Sequence, residues 1–317
     1  MSKDSGKTCP LQAVHSFLEI SLFVTTQFFL FRSLTSEAFF MTIDPGWRGS
    51  LKLVYSSANH STHVAYAQVQ APLKVQRSLY PEGKAVCHSV ILHTAGGIVG
   101  GDRLALDIQL QPQTNALITT ASAGKIYRTN GLEANQITHV NVAAGACLEW
   151  LPQETIVFDQ ARYRQAMRIE LAPGATWLGW EMTRFGRSAR NEQFLQGDWR
   201  SQTEIWQEGR PLWIDRQWLP GSEVSFYGNH GLAGCPVVGS FAFVGQPVDT
   251  ALVEKARSLW LGNAGDTGVT RLQSGLLCRY RGHSTADVRR WFVEVWRLIR
   301  LSFLGRSGCV PRVWGVS

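Results

Sequence analysis

Carboxylates set among apolar residues are the groups of this 317-residue chain whose placement could do chemistry. Glu149 and Glu154 sit in "CLEWLPQETIVF", Glu181 in "LGWEM" and Asp215 in "LWIDRQWL". A carboxylate in a strand flanked by Trp and Leu must be paired, hydrogen-bonded, hydrated or protonated, because burying it alone is costly. Two readings follow. Each acid is an internal ion pair with an arginine such as Arg103 or Arg216, or the acids together line an oxygen-rich interior that holds or passes hydrated divalent cations weakly enough to release them.

The run from His93 to Asp102, "HTAGGIVGGD", has the glycine density of a phosphate loop. It lacks the rest of one. No Gly-Lys-Ser/Thr follows, the spacing is not G-x-G-x-x-G, and the next residues, "RLALDIQL", alternate as a strand does rather than opening a helix. A nucleotide-binding enzyme built on this loop is therefore the weaker reading. Other enzyme signatures are missing too: there is no G-x-S-x-G elbow, no H-E-x-x-H and no cysteine in a nucleophile setting. The six cysteines, at positions 9, 87, 147, 235, 278 and 309, form no C-x-x-C pair, a pattern that suits free thiols in a reducing compartment. Cys87, His88 and His93 come closest to a metal cluster. In a strand Cys87 and His88 point to opposite faces, as do His88 and His93, so buried or edge side chains are the better account.

These residues need elements to hold them. From Met41 the chain is a succession of short alternating runs, among them "SLKLVY", "HVAYAQVQ", "AVCHSVILH", "NALITTAS", "QITHVNVAA", "MRIELAP", "TWLGWEM", "SQTEIWQ" and "PLWIDRQWL", with turns at "NG", "AGA" and "PGA" between them. No strict period marks a repeat. Two segments read as helices: 249–262, closed by Gly262, and a C-terminal one that begins at a Ser/Thr cap and ends on Gly305. In the second, Val288, Trp291, Phe292, Val295, Ile299 and Phe303 make one stripe, which should cover the β core. The fold class is thus mainly β, a single β-rich domain of many short strands with about two helices.

Residues 271–317 hold nine arginines against Asp287 and Glu294, which accounts for the whole net charge of +7. Helical spacing makes most of these arginines a solvated or partner-facing side rather than a nucleic-acid surface. Near the N-terminus, "FLEISLFVTTQFFLF" (17–31) is too short and too interrupted to span a membrane and lacks a clean cleavage pattern. Residues 1–40 are expected to be an upstream extension with no part in the fold, Met41 offering an alternative start, and 41–317 the β-rich domain.

The ordered motifs "YPEG" (80–83), "HTAGGIVGGDRL" (93–104), "LITTASAGKIYRTNG" (117–131), "LEWLPQETIVF" (148–158), "GWE" with "GR" (179–187), "PLWIDR" (211–216) and "VPRVW" (310–314) closely resemble the urease accessory protein family UreD, called UreH in some organisms. The likeness covers about residues 45–314. It departs at Thr94-Ala95, where the family usually has Pro-Pro, at Gly124, where a polar residue is common, and in residues 1–40, which have no counterpart. The resemblance implies a cytoplasmic, non-enzymatic maturation factor with no tightly bound cofactor. Such a protein binds urease apoprotein and joins UreF and the GTPase UreG in a hetero-oligomeric complex that installs nickel(II), with no role for nucleic acid or membrane. It also implies a water-filled tunnel for nickel, whose acids fall by motif on Asp102, Glu181 and Asp215. On this view "HTAGGIVGGD" is a tight turn that delivers Asp102 to a hydrated interior, its glycines permitting unusual φ and close chain approach. The C-terminal helix is assigned to packing and, through Arg297 and Arg300, to a UreF contact.

Overall fold

The computed structural model describes residues 46–262 and 264–315. The expectations for residues 1–40, including the apolar run at 17–31, lie outside the described residues. In chain order the strands are β1 (Arg48–Ala58), β2 (Ser61–Gln70), β3 (Leu73–Val75), β4 (Cys87–His93), β5 (Arg103–Leu110), β6 (Asn115–Thr120), β7 (Gly124–Ile126), β8 (Ala134–Val142), β9 (Cys147–Trp150), β10 (Thr155–Val157), β11 (Arg162–Leu171), β12 (Thr176–Phe185), β13 (Asp198–Gln207), β14 (Arg210–Pro220), β15 (Val237–Val244), β16 (Asp266–Leu272) and β17 (Gly275–Gly282). Three α-helices join them, α1 (Glu223–Tyr227), α2 (Thr250–Ser258) and α3 (Thr285–Leu304).

The strands make two sheets. One runs β14-β13-β11-β8-β5-β1-β2, the other β16-β17-β15-β12-β9-β6-β4-β3. From β4 to β13 the chain coils, laying strands alternately in the two sheets, so neighbours such as β5, β8, β11 and β13 pair in parallel. Short β7 and β10 form a narrow third side, which Ile98 extends by a parallel bridge to Ile126. The mainly β expectation is borne out, and the coil arises without a sequence period because turn lengths vary.

The two sheets differ in what covers them. In the first sheet β5 alternates strictly, with Leu104, Leu106, Ile108 and Leu110 buried and Arg103 and Ala105 exposed. That pattern marks one face on the core and one on solvent. In the second, β9 is buried throughout and β12 nearly so, because α3 covers the outer face. Burying each of Val288, Phe292, Val295 and Ile299 contributes about 1.5–3 kcal/mol before entropy. The predicted stripe therefore does cover the β core. Its helix starts at Ser284, whose hydroxyl accepts from Asp287 N at 3.1 Å, and ends where Gly305 turns left-handed at φ 61°.

One boundary differs from expectation, and two elements were not anticipated. The helix read over 249–262 ends at Ser258, with Leu259 rather than Gly262 closing it; its start on Asp249, which accepts from Leu252 N, is as the sequence suggests. The five-residue α1, capped by Ser222, has no apolar period to betray it. Sequence reading also passed over β15, whose "VVGSFAFV" is apolar on both faces except at Ser240.

Candidate functional site

Between the sheets lies a cavity of about 410 Å³. The apolar alternation of the inward faces is interrupted there by polar residues. On β11, Tyr163 and Ile169 face inward among apolar neighbours, but Gln165 takes an inward position between them; β13 places Ser201 and β14 Gln217 in the same cross-strand register. Opposite, β12, β15 and β17 align Glu181, Ser240 and Arg279. Two polar rungs thus face each other across a cavity that Gln136, Thr138 and Thr203 also line.

Glu181 accepts from Gln165 Nε2 and from Ser201 Oγ, the latter at 3.0 and 3.2 Å to its two oxygens. No arginine pairs with it directly among the described residues. Burial, eased by Ser201, reinforced by the charge of Asp215 and opposed by Arg279, pushes its carboxyl up to about 7. Beside it, Gly179 leaves room for the Trp177 ring, since a Cβ there would stand 2.6 Å from that ring and 2.7 Å from the Trp150 carbonyl. This explains the glycine of "GWE".

Asp215 is held differently. Arg279 grips it with two nitrogens at 2.6 and 2.9 Å, Gln217 donates to it at 2.8 Å, and Arg279 also donates to Ser240 at 2.6 Å. Fork-on-carboxylate pairing across the sheets is strong and directional. Glu181 and Asp215 both line the cavity.

Asp102 is elsewhere. It is fully buried, and its carboxylate accepts from the backbone N–H groups of Trp47 at 2.8 Å and Val99 at 2.9 Å. The turn before it is as dense as the sequence suggests. A Cβ on Gly100 would lie 1.9 Å from Thr129 Oγ1, and Gly101 follows at φ +95°. Asp102 is absent from the cavity lining; the same loop instead sends Gly96, Gly97 and Ile98 there, so Asp102 fixes the wall rather than the interior.

His93, the last residue of β4, also lines the cavity, and neither ring nitrogen has a hydrogen-bond partner. Burial lowers its basicity, against the pull of Asp102. Sequence reading weighed it only with Cys87 and His88, which lie apart from it: Cys87 is buried and His88 contacts Glu82 at 2.6 Å. Among the described residues no three His, Cys, Asp or Glu side chains group as metal ligands.

The remaining acids are ion-paired, though not to the arginines first considered. Glu154 binds Arg289, while Arg216 goes to Glu204 at 3.2 Å. Glu149 meets Arg300, which is fully buried on α3. Arg300 donates to Glu82 of "YPEG" at 2.6 Å and to the Ser307 carbonyl at 2.7 Å, and its Nε lies 3.2 Å from Glu149, an ion pair without a hydrogen bond at that nitrogen. Trp296 Nε1 donates to Glu149 at 2.6 Å. The partner-facing expectation for Arg300 is therefore corrected: the helical period placed it on a polar face, but the "YPEG" loop folds over it. Arg297 remains outside, paired with Glu294.

Residues 48–315 match the family described as UreD urease accessory protein. The chain belongs to the UreD family. It is 64% identical to the urease accessory protein UreD of Nostoc punctiforme over 274 residues, 86% of this chain and 98% of that protein. It is 62% identical to the UreD of a second Nostoc strain over the same shares of each, and 43% identical to that of Synechocystis over 81% of this chain and 97% of the relative. The cavity, its two polar rungs and the Glu82–Arg300–Glu149 group all fall inside the UreD match. Among the described residues of this UreD-family chain no helix is long and apolar enough to cross a membrane.

Proposed function

We propose that this protein is a non-enzymatic urease maturation factor. It binds urease apoprotein and, with UreF and the GTPase UreG, helps nickel(II) reach the urease active site by way of the inter-sheet cavity. The observation that carries this reading is Glu181, a carboxylate without a direct cationic partner among the described residues, on the wall of a 410 Å³ cavity, with a carboxyl pushed up to about 7. Such a group exchanges a proton for a cation near neutrality, and a single carboxylate with a hydroxyl oxygen beside it binds a divalent ion weakly enough to let it leave. Asp215, already neutralised by Arg279, adds acceptor oxygens without adding much net charge. Asp102 serves by anchoring the loop that walls the cavity.

A passive scaffold is the second reading, and the Asp215–Arg279 fork favours it, since a purely structural role would call for such an inter-sheet clamp. The nucleotide reading of the glycine loop loses ground because that loop leads into β5 rather than into the N-terminus of a helix. The test is the nickel content of urease purified after co-expression with UreF and UreG, with and without this protein. Loading should collapse without it; equal loading would remove the maturation role.

A further inference from the structure

His93 ends β4 on the wall of the same cavity that Glu181 lines, with both ring nitrogens buried and neither hydrogen-bonded among the described residues. Buried polar groups are nearly always satisfied, so an imidazole with two free nitrogens takes up what a cavity admits, water or an ion. Sheet register separates it from Glu181. Strands β4, β6, β9 and β12 run side by side and parallel, with Ser89, Ile118, Trp150 and Gly179 on one rung. Glu181 lies two residues past its member of that rung and His93 four past its own, so both keep the inward parity. Three strand spacings of about 4.8 Å and two residues of about 3.3 Å put their backbones about 16 Å apart along one face. They cannot share an ion.

The two positions differ in the ions they suit. Carboxylate and water oxygens suit magnesium and manganese, whereas imidazole suits nickel, copper, zinc and iron, and at a given site nickel(II) outranks manganese(II). Glu181, with the Ser201 hydroxyl beside it, is an oxygen site and has no means of refusing magnesium. A single imidazole supplies the missing preference. It also holds the ion by one protein bond, which leaves the remaining positions to water and keeps release easy.

We propose that His93 is a selectivity station in the cavity, a single nitrogen ligand that takes up nickel(II) in passage and passes over magnesium(II). The inference rests on the maturation reading, which supplies nickel as the cargo; the ligand chemistry by itself would serve zinc(II) as well.

The test compares the full chain with His93→Gln, which puts an amide in place of the imidazole; His93→Leu replaces it should that fail to fold. With the histidines isotope-labelled for NMR, the His93 ring signal is the one that the variant lacks. Nickel(II) added in the presence of excess magnesium(II) should broaden that signal, and magnesium(II) alone should leave it sharp. In urease matured with UreF and UreG at limiting nickel, the variant should load as the wild type does without added magnesium, and several-fold less in its excess. A His93 signal indifferent to nickel, or equal loading by both proteins at every magnesium level, overturns the selectivity station while leaving the maturation reading in place. Loading by the variant that is equally poor with and without magnesium also overturns it, because His93 then acts on something other than the choice of ion. Urease loading that does not depend on the protein at all overturns both.

Discussion

Glu149 and Glu181 begin in the same predicament, each a carboxylate among tryptophans in the second sheet, and the fold resolves them in opposite ways. On the helix side Glu149 is sealed between β9 and α3, with Arg300 and Trp296 supplied to it and Glu82 sharing the same cation. Burial still raises its carboxyl above the ordinary value, whereas Glu82, where burial is outweighed by His88 and Arg300, falls below its own. On the cavity side Glu181 receives only neutral donors and faces open space. The first arrangement is closed and structural. The second leaves a charge-accepting group unmatched, which is what a transient cation requires. Carboxylates in apolar strands are thus not one class, and the partner's identity separates them.

The comparison can be broken most sharply at Arg300. Arg300→Met leaves Glu82 and Glu149 without their buried cation and should cost about 3–5 kcal/mol in urea unfolding. A loss under about 1 kcal/mol would mean that the helix-side cluster is not what ties "YPEG" to α3.

Glu181 sharpens it through pH. Its carboxyl sits at about 7 in the fold against an ordinary 4.5, so as pH rises the unfolded chain ionises first. Its contribution to stability is full below pH 4.5, declines as pH rises toward 7, and is constant above. In Glu181→Gln that decline should vanish, a difference of roughly 1–3 kcal/mol between the two proteins' pH profiles. Superimposable profiles would show that Glu181 ionises at its ordinary value and that the cavity is more polar than its lining implies. The smallest effect belongs to Arg297, exposed and, among the described residues, paired only with Glu294 one turn away: Arg297→Ala should shift stability by under about 0.5 kcal/mol.

How much of this was legible beforehand follows from period and parity. The stripe on α3 and its caps could be read because a 3.6-residue period and a Ser/Gly bracket are local signals. The acids were legible as awkward, since Glu181 and Asp215 interrupt apolar alternation. Their partners were not: Arg279 lies 64 residues from Asp215, and only sheet register joins them. Gln165, Ser201 and Gln217 could have been found by asking which inward positions on successive strands are polar, because Tyr163, Trp199 and Leu219 mark the inward parity. Asp102 shows the reverse case. Motif order drew attention to it, but its two backbone hydrogen bonds depend on Trp47, 55 residues away in sequence, as much as on its own loop.

The most direct test of the account is the nickel content of urease matured with UreF, UreG and either the wild-type chain or Glu181→Gln, each variant first shown to assemble with its partners. If the cavity passes nickel, the complex forms normally and urease emerges with its loading reduced several-fold, and Asp215→Asn combined with Arg279→Gln deepens the defect. Full loading with every cavity variant, in complexes that assemble normally, would contradict the conduit and leave the protein a scaffold.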